Sequence, residues 1–258
     1  MTVVAKILIN GIGGQMGHAL LNALKNDVRG FEISCGVDPF FEYPAAFPVY
    51  ASAKEIDVPV DIVIDFSVPK ATEEILDFCL VRKIPAVICT TALSDALIEK
   101  IDRASCDIPI FRSGNMSLGV NLMRVLLKQA RQTLGDAFDI EIIETHHNRK
   151  KDAPSGTALM LADAIHEADR ADHAYVFGRS EKNRRREPGE IGFHSIRGGT
   201  IVGEHEVRFL GTDEEIAIRH AAYSKAVFAN GALKAAQYLL TKQSGLYSME
   251  DLVSETLF

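Results

Sequence analysis

The feature that most constrains the fold of this chain is a glycine-rich segment, Asn10-Gly11-Ile12-Gly13-Gly14-Gln15-Met16-Gly17, which follows an apolar run and precedes a helical pattern. Glycines at such a point let a strand turn tightly into a helix and let the backbone approach a pyrophosphate. The N-terminus of the helix then offers N–H groups and a favourable dipole to phosphates. The strict GxGxxG spacing is not met, because its sixth position is Met16. The segment alone is therefore also compatible with a purely structural turn.

Asp38 ends the second apolar run, 21 positions beyond Gly17, and supports the dinucleotide interpretation. An acidic residue there accepts hydrogen bonds from the ribose hydroxyls of an adenosine. The alternative is a turn residue that precedes Pro39. A carboxylate would also repel a 2′-phosphate, and residues 39–42 supply no compensating cation. The pattern therefore favours NADH over NADPH.

Short apolar runs alternate with helical patterns over the first 113 residues. The predicted strands are Val3–Ile9, Phe31–Val37, Val60–Phe66, Ala86–Cys89 and Ile108–Phe111, and the predicted helices are Met16–Asn26, Lys70–Arg82 and Asp95–Ala104. Nearly continuous apolar strands between helices are typical of a parallel sheet that is covered on both faces. The sequence therefore predicts an α/β fold with a Rossmann-type doubly wound parallel sheet.

The pattern changes after residue 117 and predicts a second domain. Helices are predicted at Leu118–Leu134 and Ala158–Ala168, a loop at 178–190, and strands at Phe138–His146, Ile191–Arg197, Val202–Leu210 and Glu215–Tyr223, the last two joined by a turn at 211–213. A helix followed by mixed or antiparallel strands indicates an α+β domain built on an open mixed sheet. The tail is helical again at Phe228–Leu240. We expect a dinucleotide-binding domain from 1–117 plus 226–258, and a substrate-binding and oligomerisation domain from 118–225.

Composition excludes several classes of function. The formal net charge of −7 and the pI of about 5.6 disfavour nucleic-acid and membrane-surface partners. No apolar run approaches the length of a membrane span, and the N-terminus lacks the layout of a signal peptide. The four cysteines show no CxxC pairing, and the segments around Cys79 and Cys89 are apolar. We expect a cytoplasmic protein with reduced thiols.

The strongest local signal is the segment of residues 144–157, which reads ETHHNRKKDAPSGT. His146 can exchange a proton near neutral pH, and Lys150 can pair with an anion. Backbone N–H groups of Gly156 and Thr157 at a helix N-terminus would bind a carboxylate. The alternatives are a solvated basic loop, a plain helix start, or a metal site. A metal site is disfavoured because no third and fourth ligands lie at a recognisable spacing.

Six segments together resemble the dihydrodipicolinate reductase (4-hydroxy-tetrahydrodipicolinate reductase) family over essentially the whole chain: GIGGQMG at 11–17, VIDFS at 63–67, SGNMSLGVN at 113–121, EIIETHHNRKKDAPSGTA at 141–158, IGFHSIRGGTIVGEHEV at 191–207 and FANGA at 228–232. The resemblance implies a two-domain fold and a homotetramer assembled through the sheets of the substrate domain. It also implies reduction of a small cyclic dicarboxylate by NADH or NADPH in the diaminopimelate–lysine pathway.

The same resemblance implies roles for individual residues. His146 matches the proton donor and acceptor of the family, and Lys150 matches its catalytic lysine. The substrate-binding positions are His147, Gly156, Thr157 and Lys225. The cofactor-binding positions are Gly11, Ile12, Gly13, Gly14, Gln15, Met16, Asp38, Cys89, Thr90, Thr91, Ser113, Gly114, Asn115 and Met116.

Three positions depart from the usual pattern of the family. Residues 89–92 read Cys-Thr-Thr-Ala where Gly-Thr-Thr-Gly is common, so the loop must be shaped differently if those glycines serve special backbone angles. Lys225 stands where an arginine is often found, which loses bidentate pairing with a carboxylate. Gln15 replaces a basic residue near the phosphates, and this weakens any expectation of strong NADPH use.

Two other functions remain compatible with the sequence. A related two-domain amino-acid dehydrogenase, such as an aspartate or homoserine dehydrogenase, would share the first domain, but the segment at 146–157 argues against it. A non-catalytic dinucleotide-binding module would need neither His146 nor Lys150.

Overall fold

The computed structural model describes residues 4–25, 28–169, 173–180 and 184–257. The chain forms two compact units: unit 1 comprises Met1–Leu118 and Lys225–Phe258, and unit 2 comprises Gly119–Ser224. Parts of three predicted elements lie outside the described residues. These are Val3 of the first strand, Asn26 of the first helix and residues 181–183 of the charged loop.

The N-terminal part of unit 1 alternates strands with helices. Its elements are β1 (Ala5–Asn10), α1 (Gln15–Leu24), β2 (Phe31–Val37), β3 (Val49–Tyr50), β4 (Ile62–Asp65), α2 (Pro69–Arg82), β5 (Ala86–Ile88), α3 (Asp95–Ala104) and β6 (Pro109–Arg112). Pro69 stands at the first position of α2, where its missing N–H costs nothing, and Lys83 ends the helix in the left-handed conformation. Ser94 caps α3 because its hydroxyl accepts a hydrogen bond from the Leu97 N–H at 3.3 Å.

Unit 2 places two helices against one face of a sheet. Its elements are α4 (Leu118–Leu134), β7 (Asp139–His146), α5 (Gly156–Asp169), β8 (Ala174–Phe177), β9 (Glu190–Arg197), β10 (Gly203–Leu210) and β11 (Glu215–Ala222). The strand order is β11-β10-β7-β9-β8. β7 runs parallel to β9 and antiparallel to β10, so the predicted open mixed sheet is confirmed. Leu127 of α4 and Leu161 of α5 pack with Ile142 in its core.

The C-terminal elements return to unit 1 as α6 (Ala226–Leu239), β12 (Gly245–Tyr247) and α7 (Met249–Leu257). The sheet of unit 1 has seven strands in the order β12-β6-β5-β4-β1-β2-β3. Every pairing within it is parallel. The strands β2 and β3 lie on one side of β1, and the later strands, beginning with β4, lie on its other side. This order confirms the predicted doubly wound sheet. Ligands of such sheets bind at the carboxyl ends of the strands, where the order reverses.

Six elements of the described residues were not predicted: β3, β8, β12, α7 and the short 3₁₀ helices Ala53–Glu55 and Gly135–Ala137. The three strands are only two to four residues long, so they show too little periodicity to be recognised. The remaining predicted elements are found with ends shifted by at most two residues. All four cysteines are free, and Cys106 is exposed whereas Cys35, Cys79 and Cys89 are buried. Within the described part of the chain, the length and hydropathy that a membrane span requires are met by no helix.

Gly231 of α6 lies directly against the carbonyl oxygen of Met116. A Cβ atom at residue 231 would lie 1.7 Å from that oxygen, which is too close for any contact. Helix and backbone can therefore pack only because residue 231 has no side chain.

Replacing Gly231 by alanine should lower the free energy of unfolding by at least about 2 kcal/mol because of this overpacking. The sign of this change in stability is informative, because helix propensity alone would make alanine more stabilising than glycine by about 1 kcal/mol. Urea unfolding followed by circular dichroism measures the change. Lys234→Ala, on the exposed face of the same helix, is the control and should change stability by less than about 0.5 kcal/mol. Undiminished stability of Gly231→Ala would contradict this packing.

Candidate active site

The glycine-rich turn of unit 1 has the geometry expected between a strand and a helix. Gly11 has a φ of +79°, and a Cβ there would lie 2.6 Å from the Phe66 carbonyl oxygen. A Cβ at Gly17 would lie 2.2 Å from the Ile12 carbonyl oxygen. Gly14 is the N-cap of α1 without a side-chain hydrogen bond. Only glycine fits at residues 11 and 17. Gly14 is exposed, and its N–H donates to the Gly11 carbonyl oxygen at 3.1 Å.

Asp38 is fixed beside this turn. The Gly13 N–H donates to its Oδ2 and the Phe40 N–H to its Oδ1, both at 2.9 Å. The turn and Asp38 line a cavity of about 490 Å³ that extends to Ser52 and Ser67. The volume lies in the range of small-molecule and cofactor sites. The glycine cradle, the helix N-terminus and the carboxylate fit a nucleotide that carries a ribose and phosphates.

Other residues of the predicted cofactor segment have structural roles. The Ile12 side chain is buried and faces Gly36, so only its backbone can contact a ligand. Met16 is half-buried in the first turn of α1. Gln15 accepts a hydrogen bond from Lys225 Nζ. Lys225, predicted to bind substrate, therefore lies beside the glycine turn of unit 1.

A buried hydrogen-bond network joins three strand ends of unit 1 at Asp65. Its Oδ1 accepts from Asn10 Nδ2 at 2.8 Å and from the Ser67 N–H at 3.1 Å and hydroxyl at 2.5 Å. Its Oδ2 accepts from the hydroxyls of Thr72 at 2.6 Å and Thr90 at 2.9 Å. Thr90, predicted to line the cofactor site, is thus a buried support for the loops that follow β4 and β5.

The other residues of the loop after β5 differ from one another in burial and in backbone conformation. Burial raises the pKa of the Cys89 thiol well above its ordinary value, so this cysteine is an unreactive core residue. Thr91 is exposed. Ala92 has a φ of 56°, the left-handed region that glycine enters without strain. Ala92 adopts this conformation at a cost of about 1 kcal/mol.

The loop after β6 forms a compact turn. The Ser113 hydroxyl donates to the Asn115 carbonyl oxygen at 2.8 Å, and the Ser117 N–H donates to Asn115 Oδ1 at 2.9 Å. A Cβ at Gly114 would meet nothing within 4 Å, and Met116 is buried. Of the predicted residues in this loop, Gly114 is therefore the one with open space before it.

In unit 2, His146 is paired with a carboxylate that sequence reasoning did not identify. His146 Nδ1 lies 2.5 Å from Glu144 Oε2, on the same face of β7. The Glu144 side chain is 1% exposed and that of His146 is 11% exposed. A Cβ at Gly203 would lie 3.0 Å from His146 Nε2, so the absence of a side chain at residue 203 keeps this nitrogen uncrowded.

Arg197 neutralises the charge of the buried Glu144 through a bidentate hydrogen-bonded contact. Its Nη1 donates to Oε2 at 2.8 Å and its Nη2 to Oε1 at 2.6 Å. The Ser155 N–H also donates to Oε1, at 3.2 Å. Burial alone would raise the pKa of the Glu144 carboxyl, but hydrogen bonds from Arg197, Ser195 and His146 outweigh it and lower the pKa to about 2. Glu144 is therefore an anion at neutral pH.

His146 and His205 are both neutral at physiological pH. Burial lowers the pKa of His146, and its hydrogen bond with Glu144 offsets only part of that effect. Burial lowers the pKa of His205 to about 4, with a smaller contribution from His146. The two rings meet edge to face with centroids 5.2 Å apart. His205 Nε2 lies 3.0 Å from the Ser155 hydroxyl, which also caps α5 by accepting the Ala158 N–H at 3.2 Å.

The cation and the anion-binding positions of the predicted segment lie in the same unit. Lys150 Nζ lies 2.9 Å from Asp152 Oδ2, a carboxylate whose side chain is 59% exposed. His147 Nδ1 is buried and has no hydrogen-bond partner among the described residues. Gly156 and Thr157 are the first two residues of α5, and a Cβ at Gly156 would meet nothing within 4 Å. An anion can approach this helix N-terminus.

Sequence reasoning missed Asp65, Glu144, Ser155, Arg197 and His205. A signal for Glu144 existed, because a residue two positions before His146 on a strand shares its face. No group of three or more His, Cys, Asp or Glu residues that could hold a metal ion was found in the described ranges of the chain.

Two family models match the chain almost end to end. The model described as dihydrodipicolinate reductase, N-terminus, matches residues 5–116, and the one described as dihydrodipicolinate reductase, C-terminus, matches residues 119–253. A 4-hydroxy-tetrahydrodipicolinate reductase of Caldanaerobacter subterraneus subsp. tengcongensis is 49% identical over 98% of this chain and 100% of its own length. One from Clostridium novyi is 43% identical over 97% of this chain and 98% of its own.

Solved structures share the fold. A dihydrodipicolinate reductase from a Paenisporosarcina species, with dipicolinate bound, has a TM-score of 0.81 and 22% identity over 97% of this chain and 100% of that one. An aspartate dehydrogenase from Thermotoga maritima has a TM-score of 0.51 and 14% identity over 92% of this chain and 97% of that one. At these identities the likeness concerns the fold alone.

The low pKa of Glu144 makes a pH-dependent contribution to stability. A carboxyl whose pKa is lowered on folding stabilises the folded state above its ordinary pKa of 4.5, and this contribution is lost as the pH falls towards about 2. The shift corresponds to about 3 kcal/mol. In Glu144→Gln this contribution is absent, so the stability difference from the unmodified chain should shrink by roughly that amount between pH 6 and pH 2.

Denaturant unfolding at a series of pH values measures this difference. Glu99→Gln is the control, since the Glu99 side chain is 70% exposed on α3. A pH-independent difference for Glu144→Gln would show that Arg197 does not hold Glu144 as described.

Proposed function

The chain belongs to the dihydrodipicolinate reductase family, and we propose that it reduces 4-hydroxy-tetrahydrodipicolinate to tetrahydrodipicolinate in the diaminopimelate–lysine pathway. Its relatives named 4-hydroxy-tetrahydrodipicolinate reductase are oxidoreductases, and this chain is one as well. A non-catalytic dinucleotide-binding module is thereby set aside. The observation that carries the proposal is the Glu144–His146 pair, in the same unit as Lys150 and the open N-terminus of α5.

His146 is the proton donor in this proposal. Its Nδ1 is engaged by Glu144, so Nε2, beside Gly203, is the nitrogen that delivers the proton. Because burial keeps the free imidazole neutral, the proton must be taken up as the anionic substrate binds. A dianion near the ring favours the imidazolium, so substrate binding and protonation support each other.

Lys150 and the N-terminus of α5 hold the two carboxylates of the substrate in this proposal. The solved relative with dipicolinate bound supports a dicarboxylate ligand. Lys150 would exchange the exposed Asp152 for a substrate carboxylate, and this exchange costs little because exposed ion pairs contribute about 1 kcal/mol or less. His147 Nδ1, buried without a partner among the described residues, offers a further hydrogen bond.

A nicotinamide dinucleotide is the reductant, and when bound it supplies the hydride. Gly11, Gly13 and Gly14 would let the backbone pass close to its phosphates, the first N–H groups of α1 would donate to them, and Asp38 would receive the ribose hydroxyls. Loops at residues 89–91 and 113–116 serve its nicotinamide end, with Thr90 anchored to Asp65. NADH is proposed as the preferred form, because Asp38 repels a 2′-phosphate and Gln15 provides no positive charge.

The proposal extends to a homotetramer assembled through the sheet of unit 2. One face of that sheet is covered by α4 and α5. The other face carries ion pairs such as Arg219–Glu204 and an Ile196 side chain that is 52% exposed. A second subunit would cover this face.

The activity predicts synthase-dependent oxidation of NADH. The substrate is generated in situ from pyruvate and aspartate semialdehyde by the preceding synthase, and the loss of absorbance at 340 nm, a standard wavelength for the reduced nicotinamide, is followed. His146→Gln should lower kcat by about 10²- to 10⁴-fold, because a positioned acid contributes that much. Lys150→Ala should lower kcat and raise KM, since it loses charge stabilisation and binding together. Unchanged kinetics in both variants would refute the assignment of these residues.

The cofactor preference predicts a second result. Asp38→Ser should lower the ratio of kcat/KM for NADH over NADPH by about 10- to 100-fold, since hydrogen bonds to a charged group contribute about 1.5–3 kcal/mol and the repulsion of a 2′-phosphate is removed. Steady-state kinetics with each cofactor measures the ratio. Glu42→Ser, which removes an acid four residues further along the chain, is the control. A preference for NADPH in the unmodified chain would contradict the role given to Asp38.

A further inference from the structure

We propose that Glu144, clamped by Arg197, is a positioning residue that holds the His146 ring in its Nδ1–H form and thereby assigns proton transfer to Nε2. The inference deepens the proposed function and rests on it for the catalytic role of His146. The geometry concerns residues of unit 2 alone, on the neighbouring strands β7 and β9.

The ionisation of Glu144 determines which group donates in the pair. Two guanidinium nitrogens of Arg197 and the Ser155 N–H all donate to its oxygens, so all three donors stabilise the ionised form of the Glu144 side chain. An ionised carboxylate has no proton to donate. In the 2.5 Å contact with Glu144, the donor must therefore be His146 Nδ1.

The strand register explains why these three residues meet. Glu144 and His146 lie two positions apart on β7, so their side chains share a face. Arg197 of β9 is the parallel partner of His146, and its side chain reaches both oxygens of Glu144. Arg197 also donates to the Asp152 carbonyl oxygen at 2.8 Å, which ties it to the loop that carries Lys150.

Nε2 is left as the nitrogen that can take up and release a proton. The ring cannot rotate without breaking the contact with Glu144, and Gly203 leaves space before Nε2. The titratable and charged groups that act on the ring are Glu144, Lys150, Arg197 and His205. Glu144 is the only one of these four that favours the imidazolium, so its loss should make the ring harder to protonate.

The experiment follows the His146 ring by nitrogen NMR in the full chain labelled with ¹⁵N-histidine. The unmodified protein should show Nδ1 protonated and Nε2 unprotonated above the pKa of the ring. Glu144→Gln should give a mixture of the two neutral forms and a lower His146 pKa. In the same variant kcat should fall about 10- to 100-fold with KM changed less than about threefold, a smaller loss than the roughly 10²- to 10⁴-fold expected when the acid itself is removed.

Glu141→Gln is the matched control. Glu141 lies on the same strand, is bound by Arg179 and Arg186, and contacts His194 Nε2 at 2.7 Å, but it belongs to the opposite face. The control should leave kcat within about twofold and the His146 resonances unchanged. An equal loss of kcat in both variants would show a merely structural effect and would overturn the proposal.

A double-variant cycle tests whether Glu144 acts through His146. Residues that act as a unit give non-additive losses, so Glu144→Gln combined with His146→Gln should be no slower than His146→Gln alone. Multiplying losses would overturn the proposal. Full turnover of His146→Gln would instead refute the proton donor of the proposed function, while the NMR result for Glu144→Gln would still decide whether Glu144 sets the tautomer.

Removing Glu144 alone leaves the Arg197 charge without its partner, which can destabilise unit 2. Glu144→Gln/Arg197→Gln removes both charges and provides the second variant. It should fold, as measured by circular dichroism, and show the same mixture of His146 tautomers as Glu144→Gln. A single Nδ1–H form in this folded double variant would refute the positioning role.

Discussion

A carboxyl group that is buried in a sheet must be compensated by hydrogen bonds or by an opposite charge, and both sheets of this protein bury such groups. Asp65 in unit 1 is satisfied by amide and hydroxyl donors alone. Glu144 in unit 2 is satisfied by a guanidinium, an imidazole and a backbone N–H. The difference in partners separates their roles: the Asp65 network holds loops in place, whereas the Glu144 pair carries a group that can exchange a proton.

The start of α5 depends on the same carboxylate. Ser155 caps the helix with its hydroxyl and donates its N–H to Glu144, and His205 contacts that hydroxyl. The helix N-terminus and the His146 ring are therefore positioned by one anchored group and not by independent loops. In the proposed reaction, such a shared support would keep the anion-binding position and the proton donor at a constant separation, which acid–base catalysis requires.

Periodicity was sufficient to predict the longer strands of both sheets, because strands such as β4 are apolar along their length and β7 and β10 alternate. The glycine turn, Asp38 and the histidine segment were recognisable because each is contiguous or has a known spacing. The supporting networks were not, since their partners are far apart in sequence. Asn10 and Asp65 are 55 residues apart, and Glu144 and Arg197 are 53 apart. Such contacts depend on strand register, which periodicity does not specify.

The charge balance around His146 explains how a neutral imidazole can serve as an acid. Lys150, Arg197 and burial all oppose protonation of the free ring, and Glu144 alone favours it. A bound dicarboxylate would add two negative charges near the ring, and these would favour the imidazolium. The ring would then be protonated when the substrate is bound. In the absence of substrate it would be neutral and a weaker acid towards water. In this arrangement Arg197 has a double effect: it opposes the proton on His146 through space, yet it keeps Glu144 ionised and thereby fixes which nitrogen receives that proton.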